Sequence, residues 1–353
     1  MKISLCTIAY NEEKNLPALL ADIEHQDYPH SELEIILVDS MSEDHTRKIM
    51  LDFCRKASGF AAVKVIENRG GNQASGWNQA IMAAAGDVII RVDSHASIPA
   101  DFVRKNAEVL ESGEDVAGGP RPNMVSDPTP WKETLLLAES SMFGSSIASY
   151  RREGKKSYVK SVFHGAYRRK VFEDVGGFNE ALGRTEDNEL HYRIRRKGYK
   201  ICFHPGIHSR QHVRSSLKEM VRQKYSNGYW IGLTAGVCPK CLSLYHFVPF
   251  GFVCAIIGSG ILALRKHKLP AKLLWGAYGT AASLMALLSV KNVKKHVSQA
   301  ALPVLFFILH VSYGIGTLLG LVRMPFWRKT HGHSASAEEV KALLNARREG
   351  SKI

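Results

Sequence analysis

The chain sets a carboxylate and an imidazole two residues apart, in Asp93-Ser94-His95, where the apolar run Gly86-Asp87-Val88-Ile89-Ile90-Arg91-Val92 ends. On a continuing strand, residues i and i+2 face the same side. Such a pair can hold a divalent cation whose remaining positions go to water and phosphate oxygens. That chemistry suits the diphosphate of a sugar nucleotide. A second acidic group, Glu186-Asp187, stands just before a helical segment from Glu189 to Lys197 that Gly198 ends. The dipole at a helix N-terminus favours an ionised carboxylate, which can accept a proton from an attacking hydroxyl. A cation beside the leaving diphosphate plus a separate base is what a single in-line, inverting sugar transfer requires. Each motif also has a plain structural counterpart. Asp-x-His occurs in solvated turns, and Asp187 could serve only as a helix cap.

The elements that must position these groups alternate strand and helix. Ile3–Ala9 reads as a buried strand, followed by Tyr10-Asn11-Glu12-Glu13 and a helix from about Lys14 to His25. Leu33–Asp39 is a second strand, with a helix to about Ala57 after it. Val63–Glu67 is a third, leading through Asn68-Arg69-Gly70-Gly71-Asn72 into a helix from Gln73 to Ala85, and the Asp93 strand is the fourth. This order predicts an α/β fold, with a Rossmann-like, mostly parallel sheet and ligands at the carboxyl ends of its strands. Asn11, Glu12, Asp39, Asn68 and Asp93 all stand at those ends. Asp39 either recognises a base or ribose or caps the next helix, Asn68 is a ligand contact or a turn residue, and Glu12 a ligand contact or a first-turn acid. Further on, Val116-Ala117-Gly118-Gly119-Pro120 reads as a strand with a sharp turn. Phe163-His164-Gly165-Ala166-Tyr167-Arg168 offers small residues where a substrate would approach the backbone. No GxGxxG or Walker loop is present, which argues against a dinucleotide oxidoreductase or an NTPase.

The net charge is +14, and most of the excess lies in the last third. From Lys240 onward there are fifteen Lys and Arg against three Asp and Glu. This pattern does not point to nucleic acid; it fits the anionic face of a bilayer. The same third holds three uncharged apolar runs, 242–264, 273–290 and 300–322, near the roughly 20 residues a helix needs to span a membrane. The loops between them are both basic, so the positive-inside rule leaves the span count at two or three. The first run, interrupted by Pro249, Gly251, Gly258 and Gly260, is the one expected to lie in the interface. The expected organisation is a catalytic domain over 1–238, a membrane region over 239–325 and a polar basic tail over 326–353. Within that tail, Ala337–Arg348 should form a surface helix. Met1-Lys2 runs straight into a strand with no signal peptide pattern, so the catalytic domain is expected in the cytoplasm of a multi-pass plasma-membrane protein. The six scattered cysteines, including Cys238-Pro239-Lys240-Cys241, read as reduced thiols.

The chain resembles a family 2 glycosyltransferase with the GT-A fold, most closely the succinoglycan-biosynthesis ExoA type. The resemblance rests on Thr7-Ile8-Ala9-Tyr10-Asn11-Glu12-Glu13, on Val38-Asp39-Ser40-Met41-Ser42-Glu43-Asp44-His45-Thr46 and on Ile90-Arg91-Val92-Asp93-Ser94-His95-Ala96. It continues through His164-Gly165-Ala166-Tyr167-Arg168-Arg169, Val175-Gly176-Gly177-Phe178-Asn179-Glu180 and Thr185-Glu186-Asp187-Asn188-Glu189-Leu190, and covers about residues 1–235. It implies that Thr7, Ala9, Asn11, Glu12, Asn68 and Ser94 border the nucleotide-sugar and that Asp39 binds the uracil of a UDP-sugar. Asp93 and His95 take the place of the family's DXD, with Mg²⁺ or Mn²⁺ as cofactor. Asp187 of the Glu186-Asp187 pair becomes the base, and Gly119, His164, Gly165 and Arg222 fall in the acceptor and diphosphate region. The Q-x-x-R-W motif of processive synthases is not matched, which favours addition of a single sugar. The resemblance further implies a lipid-linked saccharide acceptor and other polysaccharide-assembly proteins as partners. Two alternatives share the pattern: a polyprenyl-phosphate sugar synthase, and a catalytically silent membrane assembly subunit.

Overall fold

The structure is a computed structural model and describes residues 1–144, 154–213, 216–331 and 334–350. In chain order the strands are β1 (Ile3–Ala9), β2 (Leu33–Asp39), β3 (Ala62–Glu67), β4 (Val88–Asp93), β5 (Ala96–Ser97), β6 (Val116–Gly118), β7 (Asn123–Met124), β8 (Ser157–Tyr158), β9 (Ala166–Arg168), β10 (Ile201–Phe203) and β11 (Arg210–His212). The helices are α1 (Leu16–Glu24), α2 (Thr46–Lys56), α3 (Gln73–Ala83), α4 (Phe102–Glu111), α5 (Pro130–Ser140), α6 (Arg169–Val175), α7 (Glu186–Arg196), α8 (Leu217–Thr234), α9 (Val248–Leu264), α10 (Leu269–Ser289), α11 (Leu302–His331) and α12 (Ser336–Gly350). They form two compact units. One comprises Met1–Pro122, Ala148–His212 and His333–Ile353; the other comprises Asn123–Ile147 and Val213–Gly332.

The first unit is built on a sheet in the order β3-β2-β1-β4-β9-β6-β10-β8. Strands β3, β2, β1 and β4 run parallel, as their alternation with helices predicts. Strands β1, β2 and β4 are buried over their whole length, so both faces of the sheet are covered and each strand reads as a continuous apolar run. One face packs Leu16, Leu19, Phe102 and Leu110 against it; the other packs Trp77, Ile81, Phe172 and Phe178. Beyond β4 the sheet changes character, because β9 is antiparallel to both β4 and β6. The register sets Ala9 opposite Asp39 and Ile8 opposite Asp93. The carboxyl ends of the three central strands therefore line up.

Helix α12 also belongs to this unit. Val340 and Leu344 are buried in the same core as Trp77, Phe172 and Phe178. The amide of Gly177 donates to the Ala337 carbonyl at 3.0 Å. The Ser336 hydroxyl donates to the Phe178 carbonyl at 3.0 Å and accepts from the Glu180 amide at 3.1 Å. An amphipathic stretch with an apolar stripe needs a surface to cover, and here that surface is the catalytic part of the chain itself.

In the second unit α8 and α11 lie side by side. Gly228 and Gly232 on one helix, and Gly316 and Gly320 on the other, let the backbones approach; a Cβ on Gly316 or Gly320 would run into the carbonyl oxygen of Tyr225 or Tyr229. Small residues at four-residue spacing are a common device for close helix packing in membranes. Lys224 of α8 and Glu139 of α5 form a buried ion pair at 2.7 Å. Among the described residues two helices are long and apolar enough to cross a membrane, Leu244–Leu264 and Val297–His331. The first apolar run, expected to lie in the interface or re-enter, is one of the two by length and composition. Pro249 falls in the first turn of α9, where proline costs no intrahelical hydrogen bond. The middle run forms α10, which is not among the candidates; Lys272 and the polar or small residues Gly276, Gly279, Thr280 and Ser283 lower its hydropathy.

Candidate active site

The loops that leave β1 and β2 brace one another at the edge of the sheet. Asn11 adopts a left-handed φ of 55°, which asparagine tolerates better than most residues. Its amide donates to the Ser42 hydroxyl at 3.0 Å, and its side-chain oxygen accepts from the Glu43 amide at 2.9 Å. Asp39 is buried beneath this pair of loops and accepts from the Ser42 amide at 3.3 Å. Asn68 is also fully buried, and its side chain is consumed by the turn: it donates to the Ser40 hydroxyl and the Asn72 carbonyl and accepts from Ser75 and Gly70. These bonds engage Asn68 in the turn, without the left-handed φ that asparagine often takes there. Thr7 lies fully buried on β1, its hydroxyl without a hydrogen bond among the described residues.

Asp93 and His95 emerge together at the end of β4, with Ser94 buried between them. The Nδ1 of His95 faces a Glu12 carboxylate oxygen at 3.1 Å, and Glu12 is held in turn by the Asn15 amide at 2.7 Å. Burial opposes a charge on His95, but the Glu12 hydrogen bond and the Asp93 and Glu12 carboxylates outweigh it and raise its pKa. The side-chain nitrogen of Gln211, from β11, touches His95 Nε2 and lies 3.3 Å from Asp93 Oδ2. A single donor thus sits between the two expected ligand atoms, where a cation shared by them would also sit. A carboxylate on the far nitrogen of a ligating histidine is the usual way its ring is oriented. The Asp93–His95 pair therefore fits a divalent cation that takes its other ligands from phosphate and water. Among the described residues no three His, Cys, Asp or Glu side chains form a preformed cage.

His164 stands behind Asp93. Its Nδ1 bonds the Ser209 hydroxyl at 2.9 Å, and its Nε2 lies 4.0 Å from Asp93 Oδ2. Burial, and then the positive charges of Arg121, His95 and Arg91, push its pKa well below the usual imidazole value, so the ring is neutral. Arg121 is buried with its guanidinium 4.1 Å above the Phe163 ring. Gly165 and Gly119 serve packing. A Cβ on Gly165 would reach the Tyr167 hydroxyl at 2.7 Å, and one on Gly119 would run into the Ile207 carbonyl oxygen. Gly119→Ala should accordingly lose about 2–3 kcal/mol of stability from overpacking. A lowered midpoint in thermal unfolding checks this. Arg222 belongs to the second unit, exposed on α8.

The acidic pair opens α7, whose first helical residues are Glu186 and Asp187. Asp187 is not spent as a cap. Its Oδ1 accepts from Arg91 at 2.6 Å, a guanidinium only 2% exposed on β4. Glu186 is buried, and its pKa is driven well above the carboxylate range by desolvation and by Asp187 beside it. The pair is thus asymmetric, one carboxyl neutral and the other anchored to a cation. Below them, neutral His191 bridges Ser161 at 2.9 Å and the Tyr167 hydroxyl at 2.8 Å; burial lowers its pKa to about 4. Arg91, Gln211 and Arg121 were not singled out by sequence reasoning. Arg91 carried the only available signal, a charge inside an otherwise apolar strand.

A mostly parallel sheet that carries Asp39, Asp93 and His95 at its carboxyl edge, with Asp187 held by Arg91, has the architecture of a GT-A fold. The fold agrees with a solved mannosyltransferase, PcManGT from Pyrobaculum calidifontis in complex with GDP-Man and Mn²⁺, at a TM-score of 0.56 and 18% identity over 90% of this chain and 87% of that one. Residues 4–176 match the family described as Glycosyl transferase family 2, so the chain carries a glycosyltransferase domain similar to that family. It is 26% identical over 334 residues to the dolichyl N-acetyl-alpha-D-glucosaminyl phosphate 3-beta-D-2,3-diacetamido-2,3-dideoxy-beta-D-glucuronosyltransferase of Methanococcus voltae, covering 91% of this chain and 97% of that protein. It is also 26% identical over 198 residues to the succinoglycan biosynthesis protein ExoA of Rhizobium meliloti, covering 54% of this chain and 57% of that protein.

Proposed function

We propose that the protein moves a hexose from a UDP-sugar to a lipid-linked saccharide, with inversion, in the assembly of a cell-surface glycan. The observation that carries this reading is the pairing of Asp93 at the end of β4 with Asp187, held by Arg91 two residues earlier on the same strand. A divalent cation bound by Asp93 and His95 would neutralise charge developing on the leaving diphosphate. The loops around Asp39 and Asn11 seat the nucleoside. Asp187 accepts the proton of the attacking acceptor hydroxyl as its oxygen bonds to the anomeric carbon. The anomeric carbon–oxygen bond breaks, and UDP departs with the electron pair. Neutral Glu186 and His164 add no like charge beside the groups that must stay ionised.

The acceptor is inferred from the membrane helices and from the relative that matches almost end to end, whose name specifies a dolichyl phosphate sugar. An enzyme held in the bilayer meets a lipid-linked acceptor at raised effective concentration. The catalytic unit is assigned to the cytoplasmic face, where sugar nucleotides are made. The test is UDP release by the detergent-solubilised full chain over a panel of UDP-sugars, with Mn²⁺ or EDTA, and with polyprenyl-linked saccharide, bare polyprenyl phosphate or soluble sugar. We expect release with one donor, needing metal and the lipid-linked saccharide. Turnover on bare polyprenyl phosphate alone would transfer the assignment to a polyprenyl-phosphate sugar synthase. UDP binding without turnover in any arm would leave a silent assembly subunit.

A further inference from the structure

Arg91 is a charge in the least polar part of the sheet. Its side chain is 2% exposed, on a strand whose other residues are all buried. The guanidinium packs against two aromatic rings, 4.3 Å from the centroid of Trp77 and 4.5 Å from that of Phe178. Cation–π contact with two rings restrains the orientation of a planar group. Both walls are themselves held. Trp77 is fully buried on α3. Phe178 exchanges two hydrogen bonds with the Asn78 side chain, at 2.7 and 2.9 Å, and receives a third from Ser336. The Arg91 backbone amide is tied to the Gly165 carbonyl at 2.9 Å. With its plane restrained, the guanidinium directs Nη1 at Asp187 Oδ1, 2.6 Å away. Its Nε has no hydrogen bond among the described residues.

We propose that Arg91 is a positioning residue for sugar transfer: the aromatic clamp aims its guanidinium to lock Asp187 by one oxygen and present the other to the acceptor hydroxyl. This deepens the reading of Asp187 as the base and rests on it. Among the described residues no hydrogen bond engages Asp187 Oδ2, and the Asp187 side chain keeps 18% of its surface exposed. Strand β4 carries both ends of the reaction, Arg91 behind the base and Asp93 at the diphosphate. The separation of base and leaving group is thus set by two residues of one strand rather than by two loops. A misplacement of about 1 Å in such a geometry can reduce rate a hundredfold. A purely structural role fits poorly, since an apolar side chain of similar volume usually replaces a buried ion pair at no loss of stability.

Four titratable or charged groups act on Asp187: Arg91 from β4, Tyr167 from β9, and Glu186 and His191 from α7. Glu186 and His191 are neutral near pH 7, and burial raises the pKa of Tyr167 so that it is neutral as well. Arg91 is therefore the charged contact whose removal should be felt. The experiment uses the full chain in detergent, with Arg91→Met, Arg91→Lys, Phe178→Leu and Asp187→Asn, and measures kcat, donor KM and UDP affinity by calorimetry. For Arg91→Met, kcat should fall about 30-fold or more while donor KM and UDP affinity stay within about threefold. Arg91→Lys should recover part of kcat. Phe178→Leu, which leaves the charge but removes one wall, should lower kcat with donor KM unchanged. Loss of kcat and donor affinity together in Arg91→Met, or wild-type kcat in Phe178→Leu, would overturn the proposal; the second result still decides if Arg91→Met fails to fold. Activity surviving in Asp187→Asn would instead sink the base assignment beneath it.

Discussion

Asp187→Asn is expected to lower kcat by about 10²–10⁴-fold, the usual contribution of a positioned general base, with UDP affinity unchanged. Asparagine has the same shape, and its amide oxygen can still accept the Arg91 hydrogen bond now made at 2.6 Å. The fold and the clamp around Arg91 should therefore survive, and only the proton-accepting capacity is lost. Glu186 does not supply a substitute. It is 3% exposed and held protonated by burial, so at neutral pH it donates rather than accepts. Its carboxyl also lies within the protein, whereas Asp187 keeps some exposure. The measurement is single-turnover transfer with saturating donor, so that slow product release does not mask the chemical step. Wild-type turnover would mean that the acceptor loses its proton elsewhere and that Asp187 only shapes the pocket.

The first half of the fold was legible because β1, β2 and β4 are buried on both faces and read as unbroken apolar runs. Short strands carry no such signal. Strands β8, β9 and β11 are two or three residues long, and their pairing is decided by contacts far away in sequence, so the antiparallel insertion of β9 could not be read. The site divides in the same way. Asp93, His95 and Asp187 are chemically marked residues at element ends, and the alternation of strands and helices brings such ends together. What surrounds them is tertiary: Gln211 reaches Asp93 across more than a hundred residues, and Trp77 and Phe178 meet only around Arg91. Gly119, Gly165 and Asn68 show the converse. They occur inside motifs that suggest ligand contact, and close packing or turn geometry also requires them. A residue type required by the backbone and one required by a substrate look alike in a sequence.

Val340→Asp should detach α12, and the consequence should reach activity. Val340 is 2% exposed and lies in the core with Trp77, Phe172 and Phe178. Retaining an unpaired carboxylate there would cost about 3–5 kcal/mol; releasing the helix instead exposes Val340 and Leu344 together. Release also removes the hydrogen bonds from Ser336 to Phe178 and from Gly177 to Ala337, which steady one wall of the Arg91 clamp. The expected result is a lower thermal midpoint together with a fall in kcat that exceeds any change in UDP affinity. Unchanged kcat would show that α12 is only a packing element. The docking of α12 also constrains the membrane region. The chain leaves the first unit after His212 and rejoins it at α12, so any bilayer crossings in between would have to be even in number for α12 to dock as it does. Three crossings would place α12 on the opposite face from the core that buries it. Among the described residues two helices are of membrane length and hydropathy. Epitopes inserted after Gly113 and appended after Ile353 should therefore be accessible from the same face of sealed vesicles, in wild type and in Val340→Asp alike. Opposite accessibility in the wild type would require that α12 is not docked in the membrane-bound protein.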